Sequence, residues 1–412
     1  MTAFGISKKN VDRSFQADPS SFIPHSYSHS LLVSDNPRQK CYMHLQSDWF
    51  KKQLLPGASL TQLQDDYSYH LDRVMHLEKF QGHFVTSHQS DSEVTVSLGR
   101  FTRHILSHCS FRAFFDETLF ELEPDFAKIY QTWEDDSWKV FYNYPYILAK
   151  DLHDARIRAI DTLARYYQLP HEARKPCWLF GVMNSELEAI GFSSTDRAGM
   201  VMMIVWAINN NAHYICFWMI SHMLCNQELF TAVRSEIDAC FDGKGAVGLD
   251  KLLSQCPSLD GTWNEALRLY NASTAVRKAT ADCYIGNKII HKDDQIFGPV
   301  RNWQLDGHFF GEDAGTFRAD RWLKRKDLAR SRGFTPFGGG HTYCPGRYFA
   351  QRETYLFIAQ LLRRFDLQVA DAEGTTIPNP QVPPVEINLP SPAAMRPVDD
   401  MHIKVKTRNV VS

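Results

Sequence analysis

Apolar residues recur on helical spacing through most of the chain, separated by short polar joints. The periodicity predicts helices over 60–84, 151–167, 227–240, 258–270 and 347–365. In the last of these the apolar stripe is Phe349, Ile358, Leu361, Leu362 and Phe365. The longest apolar stretch, 200–224, is interrupted by Asn209, Asn210, Asn211 and His213. Those polar groups would be costly in lipid, so the stretch reads as a buried helix rather than a membrane span. Strand-like pieces are short and late, at 275–278, 284–290 and 401–406. The pattern implies a mainly α protein with a small β portion, an α+β class. No internal repeat, low-complexity tract or linker divides it, and the Pro-rich stretch near 377–397 lies too close to the C-terminus to separate domains. A single domain over 1–412 is expected.

Composition narrows the class without naming a chemistry. Hydrophobic residues make up 44% of the 412, and the net charge is −2. Such a balance gives no electrostatic footprint for nucleic acid. The nine cysteines are scattered and odd in number, which suits a reducing, intracellular setting better than a disulfide framework. Residues 1–38 are largely polar, with Leu31-Leu32-Val33 the only apolar run, so neither a secretory signal nor a membrane anchor is expected there.

The candidate chemistry lies in Phe337-Gly-Gly-Gly-His-Thr-Tyr-Cys344-Pro-Gly-Arg-Tyr-Phe-Ala350. One cysteine sits on a glycine-rich loop directly before an amphipathic helix. Glycines 338, 339 and 340 permit backbone conformations closed to other residues and leave room for a flat, bulky group. Pro345 suits a first helical turn, and the amides and dipole of the helix that follows favour a thiolate. The loop is therefore suited to offering one sulfur to a metal. Two other readings remain: a structural cysteine, and half of a zinc site shared by His341 and Cys344. Zinc would need a second closely spaced pair, which Cys256 and Cys283 do not supply. No Lys-Ser/Thr follows the glycines, so the loop is not a P-loop.

The spacing F-x-x-G-x-x-x-C-x-G, then R-x-x-A, resembles the heme-binding loop of the cytochromes P-450. The resemblance implies heme b (iron protoporphyrin IX) with Cys344 as the axial thiolate and metal ligand, Phe337 packed beside it, and Gly340, His341 and Gly346 in the cofactor-binding loop. Further matches fall in the family's order. Glu265 and Arg268 resemble the family's E-x-x-R helix, and three-residue spacing puts both on one helical face. Phe317-Arg-Ala-Asp-Arg321-Trp322 resembles the meander whose Arg, here Arg321, completes a Glu–Arg–Arg structural cluster. Arg277 stands where the family holds a heme propionate. The matches span 200–406, and 1–199 carry no comparable motif.

Several positions depart from the family pattern. Thr342 stands two before the cysteine, where a basic residue is usual, which leaves the propionates to Arg277, His341 or a group near Lys51 and Lys52. Gln53 occupies a position that is often Arg. Asn210 and Asn211 stand where the oxygen-activating helix usually has an acid and then Thr, and they are the candidate catalytic residues. An amide orients water but does not relay protons as a carboxylate does. The pattern from Trp206 to Asn211, with Phe217-Trp218 following, resembles the branch holding sterol and oxysterol 7α-hydroxylases and prostacyclin synthase, with fungal relatives in specialised metabolism. By the resemblance, Phe4-Gly-Ile-Ser-Lys-Lys is expected to begin beyond the family's anchor and first strands, and the strands around Arg277 and Ile289 are then expected to present an open sheet edge.

The resemblance implies a monooxygenase acting on a lipophilic small molecule such as a sterol, terpenoid or other secondary metabolite. It would use O2 and electrons from an NADPH-dependent flavoprotein reductase, because the chain has no nucleotide-binding fingerprint. Lys324, Arg325, Lys326, Arg330, Arg332 and Arg352 are a candidate basic docking face. A monomer, peripheral at the endoplasmic reticulum membrane, is expected. Two rivals stand beside this: a heme-thiolate isomerase or dehydratase of a peroxide, and a truncated, non-catalytic heme-binding protein.

Overall fold

The computed structural model describes Phe4, Ile6, Asn10 and residues 42–242, 245–340, 343–391 and 393–409. The expectations for the polar N-terminus, and for His341 and Thr342, fall outside these residues apart from Phe4, Ile6 and Asn10.

The longer helices are α1 (Tyr42–Leu54), α2 (Ala58–Val74), α3 (Leu98–Phe115), α4 (Phe126–Asp135), α5 (Lys150–Gln168) and α6 (Trp178–Ala189). They continue as α7 (Ser194–Asn209), α8 (Ala212–Leu224), α9 (Gln227–Asp238), α10 (Pro257–Tyr270) and α11 (Arg347–Arg364). The strands are β1 (Val85–Ser90), β2 (Glu93–Ser97), β3 (Thr274–Lys278), β4 (Cys283–Ile285), β5 (Lys288–Ile290), β6 (Gln295–Pro299), β7 (Phe365–Ala370) and β8 (His402–Thr407). The protein is thus mainly α with a small β portion.

The chain forms two compact units: Met1–His76, Arg103–Asn210 and Pro345–Glu353, and Leu77–Thr102, Asn211–Cys344 and Thr354–Ser412. In the first, α5 buries Leu152, Ala155, Ala159, Leu163 and Tyr166, an i, i+3, i+4 stripe. Helices α4 and α7 pack along it. An aromatic chain completes the core: Phe349 against Tyr67 and Phe114, Phe114 against Phe180, and Phe180 against Phe115 at 4.7 Å.

The second unit holds an antiparallel sheet in the order β1-β2-β8-β7. Its register sets Val96 and Val369 beside Ile403, and Val94 and Leu367 beside Val405, so one face is continuously apolar. Phe101 joins Phe80, Phe84 and Phe357 in this unit's core. Two separate antiparallel pairs, β3 with β6 and β4 with β5, carry the exposed side chains Val276, Tyr284, Ile285, Ile289 and Phe297.

Three elements differ from the sequence expectation. The helix over 60–84 stops at Val74, because a 3-10 turn at Leu77–Lys79 and Gly82 (φ 94°) redirect the chain. The strand over 284–290 is a hairpin that turns at Gly286 (φ 61°) and Asn287, with Ile285 paired to Lys288. The apolar run 200–224 is two helices separated at Asn210 and Asn211.

Candidate active site

The loop that ends at Cys344 is held from several sides. Asn271, just past α10, donates its side-chain amide to the Pro336 carbonyl at 2.7 Å. The Trp303 indole donates to Thr335 Oγ1 at 2.8 Å. Within the loop, Gly338 N–H donates to Thr335 O at 2.9 Å and Cys344 N–H to Phe337 O at 3.0 Å. Gly338 (φ 73°) and Gly340 (φ 64°) adopt left-handed backbone that side chains disfavour. Among the described residues, a Cβ placed on Gly339 or Gly340 would meet nothing within 4 Å, so the described side chains leave room beside these glycines. Phe337 lies 6.4 Å, ring to ring, from Trp263. Gly346 O accepts from Ala350 N–H in the first turn of α11. The Cys344 thiol is half-buried, and none of the described cysteines is in a disulfide. The donor set is one sulfur on a loop with an open glycine face, which fits a flat group ligated by a thiolate.

Behind the loop, Glu265 and Arg268 are fully buried and joined by two hydrogen bonds, of 2.9 and 2.7 Å. Arg321 Nε reaches Glu265 Oε1 at 3.4 Å, which completes the cluster read from the spacing. Glu265 also accepts from Arg318 N–H at 2.9 Å and the Trp322 indole at 2.8 Å. Arg268 spends its remaining N–H groups on the carbonyls of Gln304, Ala314 and Thr316. Arg321 donates to the Phe310 carbonyl and to Asp313. Arg321 and Arg318 hold the Asp313 carboxyl down, at about 2. A buried ion pair with every lone pair engaged fixes geometry rather than adding net stability.

The break in the apolar run has a local cause. Asn side chains compete for backbone groups, and three occur in a row. Asn209 donates to Val205 O at 3.0 Å, one turn back. Asn211 Oδ1 accepts from Ala394 N–H at 3.0 Å. Asn210 is buried; its amide is assigned the orientation in which both ends find a partner, with Nδ2 donating to Glu134 Oε1 at 3.1 Å and Oδ1 accepting from the Trp206 indole at 2.8 Å. The structure thus ties Asn210 and Asn211 to different partners.

Other candidate positions fall as follows. Arg277 is exposed on β3 and donates to the carbonyl of Val276. Gln53 is buried and bridges Ser59 O and Leu179 N–H. Lys52 lies over the Trp178 ring at 4.2 Å. In the basic stretch, Lys324 pairs with Asp320 and Arg325 with Asp327, which offsets part of its charge.

A sequence profile of the family described as Cytochrome P-450 matches residues 71–395, most of the chain. The protein is a member of the cytochrome P-450 family. The match begins well before the motifs read from the sequence. Cytochrome P-450 7A1 of Oryctolagus cuniculus is 29% identical over 242 residues, 53% of this chain and 47% of that protein. The cholesterol 7-alpha-monooxygenase of Cricetulus griseus is 27% identical over 242 residues, again 53% and 47%. The cytochrome P-450 monooxygenase calL of Penicillium decumbens is 30% identical over 197 residues, 43% and 36%. These matches extend over about half the length of the animal relatives or less. Retinoic acid-bound cyanobacterial CYP120A1 superposes with a TM-score of 0.69 at 18% identity, covering 94% of this chain and 84% of that one, so it shares the fold.

Some site residues of this cytochrome P-450 were not read from the sequence. Trp322, Asp313 and Asn271 act through contacts distant along the chain. A Trp directly after Arg321, and an Asn directly after the Glu265–Arg268 helix, were the only local signals.

Proposed function

We propose that this cytochrome P-450 binds heme b through Cys344 and hydroxylates a lipophilic small molecule, a sterol, terpenoid or other secondary metabolite. It would use O2 and electrons from an NADPH-dependent flavoprotein reductase. The observation that carries the reading is the Cys344 loop, a single thiol beside an open glycine face, anchored by Asn271. The name of one mammalian relative, a cholesterol 7-alpha-monooxygenase, supports the sterol part of that class.

When bound, a thiolate-ligated iron porphyrin supplies oxygen activation. The chain would supply the rest. Phe337, Gly340 and Gly346 shape the ligand loop, and Glu265, Arg268 and Arg321 hold the elements behind it. Arg277 and His341 are the candidates for the propionates. Asn211 has committed its Oδ1 to Ala394, so what it offers a ligand is an N–H donor. Lys326, Arg330 and Arg332 remain candidates for a basic face that meets an acidic reductase. Among the described residues no helix is long and apolar enough to cross a membrane. Tyr142, Tyr146, Ile147 and Leu148 form an exposed apolar segment that supports peripheral contact with the endoplasmic reticulum membrane. The working form is taken to be an intracellular monomer.

One observation favours a second reading. The amides of Asn210 and Asn211 do not titrate, and isomerisation of a peroxide, or its dehydration with protons taken from the substrate itself, draws no net proton from solvent. Turnover of candidate substrates with reductase, NADPH and O2, compared with turnover of a lipid hydroperoxide alone, decides between them. Product formed only from the hydroperoxide would overturn the monooxygenase reading.

A further inference from the structure

Between residues 200 and 224 the broken apolar run carries no carboxylate of its own. A neighbouring helix brings one to it. Glu134, on α4, is 6% exposed. Its Oε2 accepts from Arg103 Nε at 3.0 Å and Nη2 at 2.8 Å. Its Oε1 faces Asn210 Nδ2, and the Asn210 Oδ1 in turn takes the Trp206 indole N–H. That indole also lies 3.2 Å from Ser137 Oγ.

We propose that Glu134 is the positioning residue of this break. One proton on its carboxyl turns the Asn210 amide through a half-rotation and so switches the break between two hydrogen-bonding states. Arg103 occupies Oε2 twice, so the proton goes to Oε1. An O–H there confronts the Asn210 NH2, donor against donor, and the conflict is relieved when the amide rotates and Oδ1 accepts from Glu134. The amide nitrogen then faces the Trp206 indole, which falls back on Ser137 alone. The only bond formed is the O–H on Oε1, to a proton taken from solvent, and no electron is transferred.

The charged groups acting on Glu134 are Arg103, from α3, and Asp135, on its own helix; α5 contributes none among the described residues. Helix α7 presents Trp206, Asn210 caps its C-terminal end, and the short helix Ser137–Phe141 presents Ser137, all neutral. Asp135 also pairs with Arg103, and its exposed side chain carries the network to the surface. Burial pushes the Glu134 carboxyl up to about 7, with Arg103 pulling the other way. The consequence for catalysis, a proton source supplied by another helix to a run without an acid, rests on the proposed function; the switch does not.

The test is a pH titration of the tryptophan indole 1H–15N cross-peaks of the full chain, in the diamagnetic reduced, carbon monoxide-bound form or in a heme-free preparation. Trp206→Phe assigns the peak. The Trp206 peak is expected to shift with a single midpoint near neutral pH. In Glu134→Gln, whose amide donates as the protonated acid does, it should sit at the low-pH position and stop moving. In Asn210→Ala it should be pH-independent. A Trp206 peak that stays fixed over roughly pH 5 to 9, or that moves alike in Glu134→Gln or Asn210→Ala, overturns the proposal. A chain that titrates but gives no heme-thiolate spectrum keeps the switch and loses the proposed function; the reverse result does the opposite.

Discussion

Asn271 donates its side-chain amide to the carbonyl of Pro336 at 2.7 Å, so the residue that ends the Glu265–Arg268 helix also holds the entrance of the Cys344 loop. Ser273 N–H returns to Asn271 Oδ1 at 2.8 Å, which fixes which end of the amide faces Pro336. Cluster and ligand loop are therefore one construction.

Asn271→Ala removes the partner of a buried carbonyl and should cost about 1–3 kcal/mol. Beyond that loss, heme should dissociate faster from the folded variant. Denaturant melts combined with heme transfer to apomyoglobin measure both effects. Unchanged heme retention would show that the bond does not position the loop.

Arg268→Ala leaves Glu265 charged and buried and should destabilise by roughly 3–5 kcal/mol. Arg268→Lys should rescue little, because a point charge cannot reproduce the two-pronged bond to Glu265 and the three carbonyl contacts. Soluble yield and thermal melting compare the two variants. A lysine variant as stable as the parent would contradict this account.

Glu353 sets a pH dependence. It is buried with one hydrogen bond, from Ser110 Oγ at 3.1 Å, and burial pushes its carboxyl up to about 8. An unfolded Glu titrates at roughly 4.3. Between these values the folded chain keeps a proton that the unfolded chain has lost, so stability falls as pH rises through this window. Glu353→Gln keeps the neutral shape, and its melting temperature should fall less steeply with pH across that window. Equal slopes in both proteins would contradict it.

Asn211→Ala removes the acceptor for Ala394 N–H, at a cost of about 1 kcal/mol. Hydrogen exchange at Ala394 and its neighbours should accelerate while α10 stays protected. Unaltered exchange at Ala394 would mean that the Asn211 contact does not hold that segment.

The parts legible in the sequence were those whose chemistry is local. Glycines, a cysteine and a helix start lie within one loop, and Glu265 with Arg268 lies within one turn. Long-range partners were not legible: Trp322 and the Arg318 amide reach Glu265 across more than fifty residues. The sheet edge β1 was missed because Val85–Ser90 is mostly polar and half-exposed, without clean alternation. The run 200–224 was read as one helix interrupted by Asn side chains; that it breaks at Asn210 and Asn211 shows only when Glu134, Trp206 and Ala394 take up those side chains. Glu134 itself lay in a stretch without a motif, and its buried place between Arg103 and Asn210 gives it a role.

The most direct test of the central claim is a reduced, carbon monoxide-bound absorption spectrum of the purified protein beside Cys344→Ala. Heme-thiolate ligation predicts the red-shifted Soret band that gives the family its name, present in the parent and lost in the variant. A band that is absent from the parent despite heme supplementation, or that persists without the cysteine, would contradict the assignment of Cys344.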